Sequence, residues 1–396
     1  MKITGLMLCP RWLPGLMAAL ALFSGCGGGV GEGGTGGGSY AQGPINGFGS
    51  VIVNDVRYDD SAAQVLDADG SSRSSADLRL GMTVEVDSST VTQTISGPTA
   101  SATRIRYASE LLGPLTAVDS ANSRFALLGQ TVQVSSSTVF DERLSGGLAA
   151  LAAGQLVEVY AAFDPASASY RATRVEPRSS ATAYGLRGVV AQLDATAKTL
   201  RIGTASFAYA GASAVPSALA DGAFVRLQLQ PAAAGSGSWT VLSFGSGTNT
   251  LLDGRQARVK GLISAFTSTV DFSVNGQRID GASASFPDGT AGLLLGARVE
   301  VEGSAQGGVL RATQVTIESD VDEHTRGFDL RGTITVLDTA LKTFVLRGMV
   351  VSYAGTTVVF KNGTAADLAP NRRVEVKAQL AAGGITLVAT EVTFDN

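Results

Sequence analysis

The chain has 396 residues, of which 44% are hydrophobic and 16% charged, and it contains 49 glycines. This length allows several small cores, and the abundance of Gly, Ala, Ser, Thr and Val favours short strands and turns over amphipathic helices. A formal net charge of −4 without basic clusters argues against a nucleic-acid partner, because such binding depends largely on Lys and Arg contacts with phosphates.

The amino terminus has the features of a secretory signal. Lys2 and Arg11 accompany an apolar run over residues 13–23, which is too short to span a bilayer as a mature helix. Small residues then lead to Cys26 in a pattern that resembles the lipobox of bacterial lipoproteins. The resemblance implies a lipoprotein signal peptide over residues 1–25, with cleavage before Cys26 and acylation of its thiol and new amino group. The alternative is an ordinary secreted protein with one idle thiol.

A glycine-rich segment follows Cys26. Such a sequence cannot bury enough surface to fold, so residues 26–42 are predicted to form a flexible tether between the membrane and the first folded unit. Cys9 is lost with the signal, so the mature chain has no pair of cysteines for an internal disulfide. Gly27 in place of Asp after the cysteine favours the outer membrane, by resemblance to the usual sorting rule for lipoproteins.

One hairpin pattern recurs five times along the rest of the chain. In the fourth copy, Asn275 and Gly276 lie between two short alternating runs, which is the pattern of a two-residue β-turn. The predicted facing pairs are Val51 with Tyr58, Phe125 with Val132, Leu200 with Phe207, Phe272 with Ile279 and Phe344 with Val351. The copies are about 72 to 75 residues apart, which indicates tandem small domains.

Each repeat has the same order of predicted elements: a first strand, the hairpin, a turn-rich stretch, a fourth strand with clean alternation, and a fifth strand. Five strands interrupted before the fourth favour a small closed barrel of the OB type, because closure removes exposed sheet edges. We therefore predict an all-β protein of tandem, five-stranded, OB-like β-barrels joined by short linkers. The predicted barrels span residues 43–107, 111–176, 184–244, 258–318 and 328–394.

The connectors between most repeats are rich in Ser, Gly, Thr and charged residues, as in residues 245–257 and 319–327. This composition is typical of loops and predicts a string of barrels with flexible joints. Only a few residues separate the first two repeats, so that pair is expected to be the stiffest.

Three motifs of the first repeat resemble a known bacterial family. They are Gly-Phe-Gly-Ser-Val-Ile-Val-Asn-Asp-Val from Gly47, Leu-Gly-Met-Thr-Val-Glu-Val from Leu80, and Ala-Thr-Arg-Ile from Ala102. This pattern is similar to the family numbered 5666 among the domains of unknown function, and the similarity extends with weaker motifs over repeats two to five. The resemblance implies this architecture and a cell-envelope setting. It brings no activity and no catalytic residues.

Few residues point to chemistry. His324 is the sole histidine, which excludes multi-histidine metal sites. It lies in a connector with Asp320, Asp322 and Glu323, which are weak candidates for a metal site; a solvated acidic linker is the favoured interpretation. We predict no metal, no cofactor and no catalytic residue.

Four glutamates recur between apolar neighbours in the fourth strand, namely Glu85, Glu158, Glu300 and Glu375. They are expected to solubilise the barrel wall, with a shared ligand face as the alternative.

The leading functional hypothesis is a non-catalytic, lipid-anchored cell-envelope protein that presents barrel modules for binding or as a spacer. The alternatives are a polysaccharide- or polyanion-binding module and a hydrolase that uses carboxylates between barrels. The expected partners are the membrane, through the lipid anchor, and an unidentified envelope protein or glycan. The expected location is the outer membrane, at its periplasmic face or at the cell surface. Ligand-binding residues are unknown from the sequence alone.

Overall fold

A computed structural model describes residues 38–95, 97–232, 237–246, 251–318 and 327–395. The described residues form 31 strands and four short 3₁₀ helices, so the all-β prediction is confirmed. The 3₁₀ helices are Ser75–Asp77, Ser120–Asn122, Gly147–Ala150 and Ala365–Asp367. The predicted signal peptide, Cys26, and the acidic connector with Asp320, Asp322, Glu323 and His324 lie outside the described residues.

The strands fall into five groups, which we call barrels 1 to 5. Barrel 1 contains Ser39–Phe48 (β1), Val51–Val53 (β2), Val56–Asp59 (β3), Gln64–Leu66 (β4), Ser72–Arg73 (β5), Thr83–Ser88 (β6), Thr92–Thr94 (β7) and Gly97–Tyr107 (β8). Barrel 2 contains Leu111–Asp119 (β9), Arg124–Leu127 (β10), Gln130–Gln133 (β11), Val139–Phe140 (β12), Leu156–Asp164 (β13) and Ser169–Pro177 (β14). Barrel 3 contains Tyr184–Val189 (β15), Ala191–Asp194 (β16), Thr199–Ile202 (β17), Ala205–Ala208 (β18), Phe224–Leu229 (β19) and Ser238–Ser246 (β20).

The last two groups contain five and six strands. Barrel 4 contains Gln256–Phe266 (β21), Asp271–Val274 (β22), Gln277–Asp280 (β23), Arg298–Gln306 (β24) and Val309–Ile317 (β25). Barrel 5 contains Phe328–Asp338 (β26), Thr343–Leu346 (β27), Met349–Ser352 (β28), Val359–Lys361 (β29), Arg373–Leu380 (β30) and Thr386–Phe394 (β31).

The main strands of each barrel pair in the same closed ring. In barrel 4, β21 pairs antiparallel with β22 and β24, β22 pairs antiparallel with β23, and β24 pairs antiparallel with β25. A parallel pair between β23 and β25 closes the ring. The other barrels close through the equivalent parallel pairs β3–β8, β11–β14, β18–β20 and β28–β31. This order, with a parallel third and fifth strand, confirms the OB-like prediction.

All five hairpin registers follow the sequence prediction. The facing pairs are Val51–Tyr58, Phe125–Val132, Leu200–Phe207, Phe272–Ile279 and Phe344–Val351. In barrel 4 the two turn residues have positive φ, 51° at Asn275 and 83° at Gly276, as a type I′ turn requires. In each hairpin strand, where apolar and polar residues alternate, the apolar side chains therefore face the barrel core.

In barrels 1, 2, 4 and 5, a glycine in the first strand makes room for a side chain of the hairpin turn, namely Asn54, Leu128, Asn275 and Arg347. At Gly261, an added Cβ would overlap the amide of Asn275. That amide bridges the strand across the glycine: Asn275 Nδ2 donates to the Lys260 carbonyl at 3.1 Å, and Leu262 N donates to Asn275 Oδ1 at 3.2 Å. Asn54 takes the equivalent position over Gly43, with Nδ2 donating to the Gln42 carbonyl at 3.0 Å.

Replacing Gly261 with Ala is therefore expected to destabilise the protein by about 1 to 3 kcal/mol, because the new methyl group expels the Asn275 amide from its two main-chain contacts. Gly211→Ala is the matched control, since a Cβ there meets nothing within 4 Å. Chemical denaturation of the two variants measures the difference. Equal stability of both variants would show that the bridging amide is unimportant.

The five barrels pack together, which corrects the prediction of a string with flexible joints. Strand β1 pairs in parallel with β21 of barrel 4 through residues 39–42, and with β26 of barrel 5 at Gly47 and Phe48. Strand β9 of barrel 2 pairs antiparallel with β15 of barrel 3. Residues 37–396 form one compact unit. The prediction failed because repeat spacing and loop composition carry no information about the outer faces of the barrels.

Strand β1 begins at Ser39, so residues 39–42 are strand rather than tether. These residues pair with β6 on one side and with β21 on the other. Their main-chain hydrogen bonds are therefore satisfied by two neighbouring barrels, which explains why a segment next to a glycine-rich sequence is ordered.

The apolar cores extend across barrel boundaries. One core combines barrels 1 and 5, a second combines barrels 2 and 3, and the third fills barrel 4 and includes Tyr40 from β1. Main chains also meet directly, as where Phe140 N of barrel 2 donates to the Gly384 carbonyl of barrel 5 at 2.7 Å. The barrels are thus parts of one packed body, and the surfaces between them can form sites.

Candidate functional site

A polar cleft of about 280 Å³ lies between barrels 1 and 3. The linker that joins barrels 1 and 2 forms part of its wall through Ala108 and Glu110. The charged residues that line it are Asp69, Glu85, Arg106, Glu110, Arg187 and Arg226. Three guanidinium groups and three carboxyl groups from separate parts of the chain therefore meet in one cleft.

Two cross-strand pairs, one from each barrel, supply four of these side chains. In barrel 1, Glu85 on β6 is directly opposite Arg106 on β8. In barrel 3, Arg187 on β15 is directly opposite Arg226 on β19. The alternation of β6 buries Val84 and Val86 in the barrel and so turns Glu85 outward, into the cleft.

Arg187 is fixed by contacts with three barrels and the linker. Its Nη1 donates to Glu110 Oε1 at 2.8 Å, its Nη2 donates to the Asn275 carbonyl of barrel 4 at 3.1 Å, and its guanidinium lies 4.4 Å from the Phe224 ring centre. The hydroxyl of Tyr170 in barrel 2 donates to the Arg187 carbonyl at 2.7 Å. Arg187 and Glu110 are 8% and 4% exposed, so this is a buried ion pair. Arg187 therefore holds the barrels together and shapes the cleft.

Arg226 is held differently. Its Nη1 donates to the main-chain carbonyl of Ser109 at 2.8 Å, rather than to an acid. At the rim, Gln228 Nε2 donates to Asp69 Oδ1 at 2.7 Å and Ser243 Oγ donates to Gln228 Oε1 at 2.8 Å. The hydrogen bond from Gln228 to Asp69 therefore joins barrel 3 to barrel 1. Arg226 lines the cleft, and the hydrogen-bond partner of its Nη1 is a main-chain carbonyl and not a carboxylate.

Burial raises the pKa of Glu85 to about 7, although the positive charges of Arg187, Arg106 and Arg226 act in the opposite direction. At neutral pH its carboxyl group is therefore divided between the protonated and ionised forms. It can donate a hydrogen bond when protonated and accept one when ionised.

The recurring glutamates do not act as a simple solubilising wall. Each points out of its own barrel but is only partly exposed. Glu375 accepts a hydrogen bond of 3.0 Å from Arg57 of barrel 1, and Glu158 pairs with Arg178. Glu300 lies 3.1 Å from Arg258, and burial raises its pKa to about 7. The prediction that these glutamates solubilise the barrel wall is wrong, because neighbouring barrels and arginine side chains cover the faces on which they lie. The alternative prediction, that they line a ligand-binding face, fits Glu85 alone.

Sequence reasoning missed Arg187, Arg226 and Glu110. A signal for one of them was present, because the residue just before the first-strand glycine is a buried polar residue in barrels 1, 3 and 4, namely Gln42, Arg187 and Lys260. A polar residue at a strand position flanked by glycine and apolar residues is unusual in an isolated barrel. Aligned across the repeats, this position points to contacts between barrels.

Within the residues that the structure describes, no group of three or more His, Cys, Asp and Glu side chains is placed to hold a metal ion. In the same part of the chain, none of the helices has the length and apolar character needed to cross a membrane.

Comparison with known proteins identifies one family. The model of the domain of unknown function DUF5666 matches residues 113–176, 260–316 and 331–393. These matches coincide with barrels 2, 4 and 5, so the resemblance seen in the sequence is confirmed for these three barrels, and the matched residues lie outside barrels 1 and 3. No curated protein matches the chain.

Proposed function

We propose that this chain, a tandem array with three DUF5666 barrels, is a non-catalytic, lipid-anchored protein of the cell envelope that binds a small anionic ligand. The ligand lies in the cleft between barrels 1 and 3. The observation that carries this proposal is the convergence of Arg106, Arg187 and Arg226 from two barrels on one cleft. A spacer role is less well supported, because the barrels are packed side by side rather than strung out.

The charge balance of the cleft favours an anion. Below pH 7, Glu85 is mostly protonated, so three guanidinium groups face the two remaining carboxylates, Glu110 and Asp69. Glu110 is paired with Arg187, and Asp69 is hydrogen-bonded to Gln228. Guanidinium groups bind carboxylates and phosphates through parallel hydrogen bonds, and they do so more strongly in a cleft that excludes water.

Isothermal titration of the mature chain at pH 6 with acetate, succinate and inorganic phosphate tests this proposal. We expect at least one of these anions to bind, and Arg226→Gln to weaken binding by about tenfold or more, because a charged hydrogen bond is lost. Affinity should also fall between pH 6 and pH 8, as Glu85 ionises and repels the ligand. Arg201→Gln, an exposed change in the same barrel, is the control. If no anion binds, or if Arg226→Gln binds like the parent, the proposed ligand class is wrong.

The lipid anchor has its own test. Cys26→Ser is expected to move the protein from the membrane fraction to the soluble fraction, or to leave it unprocessed, because the acyl chains that hold it in the bilayer can no longer be attached. Fractionation of cells that express either form, followed by immunoblotting, measures the change. A parent protein found wholly in the soluble fraction would contradict lipid anchoring.

One observation favours a second candidate, hydrolysis by carboxyl groups. Glu85 has a pKa of about 7 and shares the cleft with Glu110, and a proton donor that titrates near neutral pH is suited to general acid catalysis. Against this, Glu110 is already paired with Arg187. Turnover of a glycoside or ester that is lost in Glu85→Gln, with anion binding retained, would favour the enzyme over the binding protein.

A further inference from the structure

A second cavity, of about 100 Å³, lies where barrels 1, 2, 4 and 5 meet, beside the charged cleft, with which it shares Thr83. We propose that it is a binding site for a small neutral polyol, a molecule of the size and chemistry of glycerol or erythritol. The inference rests on which polar atoms line the cavity and on the apolar surface between them, and it does not depend on the anion proposed for the cleft.

Three buried side-chain oxygens at this cavity have no hydrogen-bond partner in the part of the chain that the structure describes. They are Asn46 Oδ1 and Asn54 Oδ1 of barrel 1 and Thr173 Oγ1 of barrel 2. Asn54 is only 3% exposed, and its Nδ2 is already committed to the Gln42 carbonyl. Buried polar groups are almost always hydrogen-bonded in folded proteins, so three such atoms around one cavity indicate an occupant.

The occupant must donate hydrogen bonds to two amide oxygens. A carboxylate has no proton to offer them at neutral pH, and a phosphate, which keeps one or two protons there, would bury its negative charge against the same amide oxygens. A metal ion would suit the oxygens, but the guanidinium group of Arg298 also lines the cavity and its charge opposes a cation. Lys260 is 7% exposed and its Nζ lies 2.5 Å from Glu318 Oε2, so its charge is already balanced by an acid.

A hydroxyl group meets these requirements, because it donates one hydrogen bond and accepts others. The wall also has an apolar part, formed by Ile45, Ala161, Ala162 and Phe328 together with glycines such as Gly261, and further polar residues in Thr83, Ser137 and Asn275. A polyol presents several hydroxyls and a face of C–H groups, so it fits both parts of the wall. Small-molecule sites commonly combine an apolar wall with a few convergent polar groups in this way.

Titration of the full mature chain with glycerol and erythritol, followed by ligand-observed NMR, tests the proposal. We expect saturable binding of at least one polyol and no competition by inorganic phosphate. Thr173→Val keeps the shape of the side chain and removes the hydroxyl, so it should weaken polyol binding by about three- to tenfold. Ser167→Ala is the control, because it removes a hydroxyl that pairs with Ser169 elsewhere in barrel 2.

Thermal melting separates a ligand from trapped water. If the Thr173 hydroxyl binds a ligand, it has no hydrogen-bond partner in the ligand-free protein. Thr173→Val should then leave the melting temperature of the ligand-free protein unchanged or raise it, since it removes a buried polar group without a partner. If ordered water satisfies these atoms, Thr173→Val should lower the melting temperature and no polyol should bind. The proposal is also overturned by polyol binding that is identical in the parent and Thr173→Val, which would place the ligand elsewhere or indicate an adventitious additive only.

Discussion

Replacing Arg187 with Leu is expected to lower the free energy of unfolding by about 3 to 5 kcal/mol. The change leaves the carboxylate of Glu110 buried without its guanidinium partner, and it also removes the hydrogen bond to the Asn275 carbonyl and the contact with Phe224. Because these contacts join the linker, barrel 3 and barrel 4, the loss should affect the whole body. Urea denaturation followed by fluorescence and by circular dichroism measures it.

Two further variants show whether the buried charge causes the effect. Arg201→Leu, an exposed arginine of the same barrel, should change stability by less than about 0.5 kcal/mol. The double variant Arg187→Leu, Glu110→Leu should recover much of the loss, because it leaves no unpaired charge. If the double variant is no more stable than Arg187→Leu, the uncompensated carboxylate is not the reason for the destabilisation.

The free energy of unfolding should fall as the pH rises from 5 to 8. Glu85 and Glu300 have an ordinary pKa of 4.5 and a folded-state pKa of about 7. Between these values the unfolded chain releases the proton while the folded chain retains it, so the folded state binds more protons and loses stability with rising pH. A shift of this size corresponds to about 3 kcal/mol for each group once the pH exceeds 7.

Glutamine substitutions test the assignment. Glu85→Gln and Glu300→Gln should each flatten the fall in stability between pH 5 and pH 8, since an amide does not titrate. Glu142→Gln, an exposed change, should leave the slope as it is in the parent. Denaturant unfolding at several pH values measures the slopes. A parent protein that grows more stable from pH 5 to pH 8 would mean that neither carboxyl group is held protonated by burial.

The sequence predicted the fold of one repeat well, because the governing interactions are local. Asn275 and Gly276 set the turn, the alternation around them sets which side chains enter the core, and the register of Phe272 with Ile279 follows from both. The packing between barrels could not be predicted in the same way. It depends on the pairing of β1 with β21 and β26, strands more than 200 residues away that no local pattern connects.

The candidate site, too, was predictable only where the interactions are local to one barrel. The outward direction of Glu85 was predictable from the alternation of β6, but its burial was not, since barrel 3 supplies Arg187 and Arg226 from elsewhere in the chain. Glu110 looked like part of a short connector, and only the packing of three barrels makes it the buried partner of an arginine. A residue that acts through contacts with another barrel is hard to recognise from the sequence of its own barrel.

Small-angle X-ray scattering of residues 37–396 tests most directly whether the five barrels form one body. For a compact unit of this length we expect a radius of gyration of about 21 Å. Five separate barrels of this size in an extended row would give about 40 Å. A value near the first supports the shared strand β1 and the sites between barrels, whereas a value near the second would contradict the packed body and with it both the cleft and the cavity.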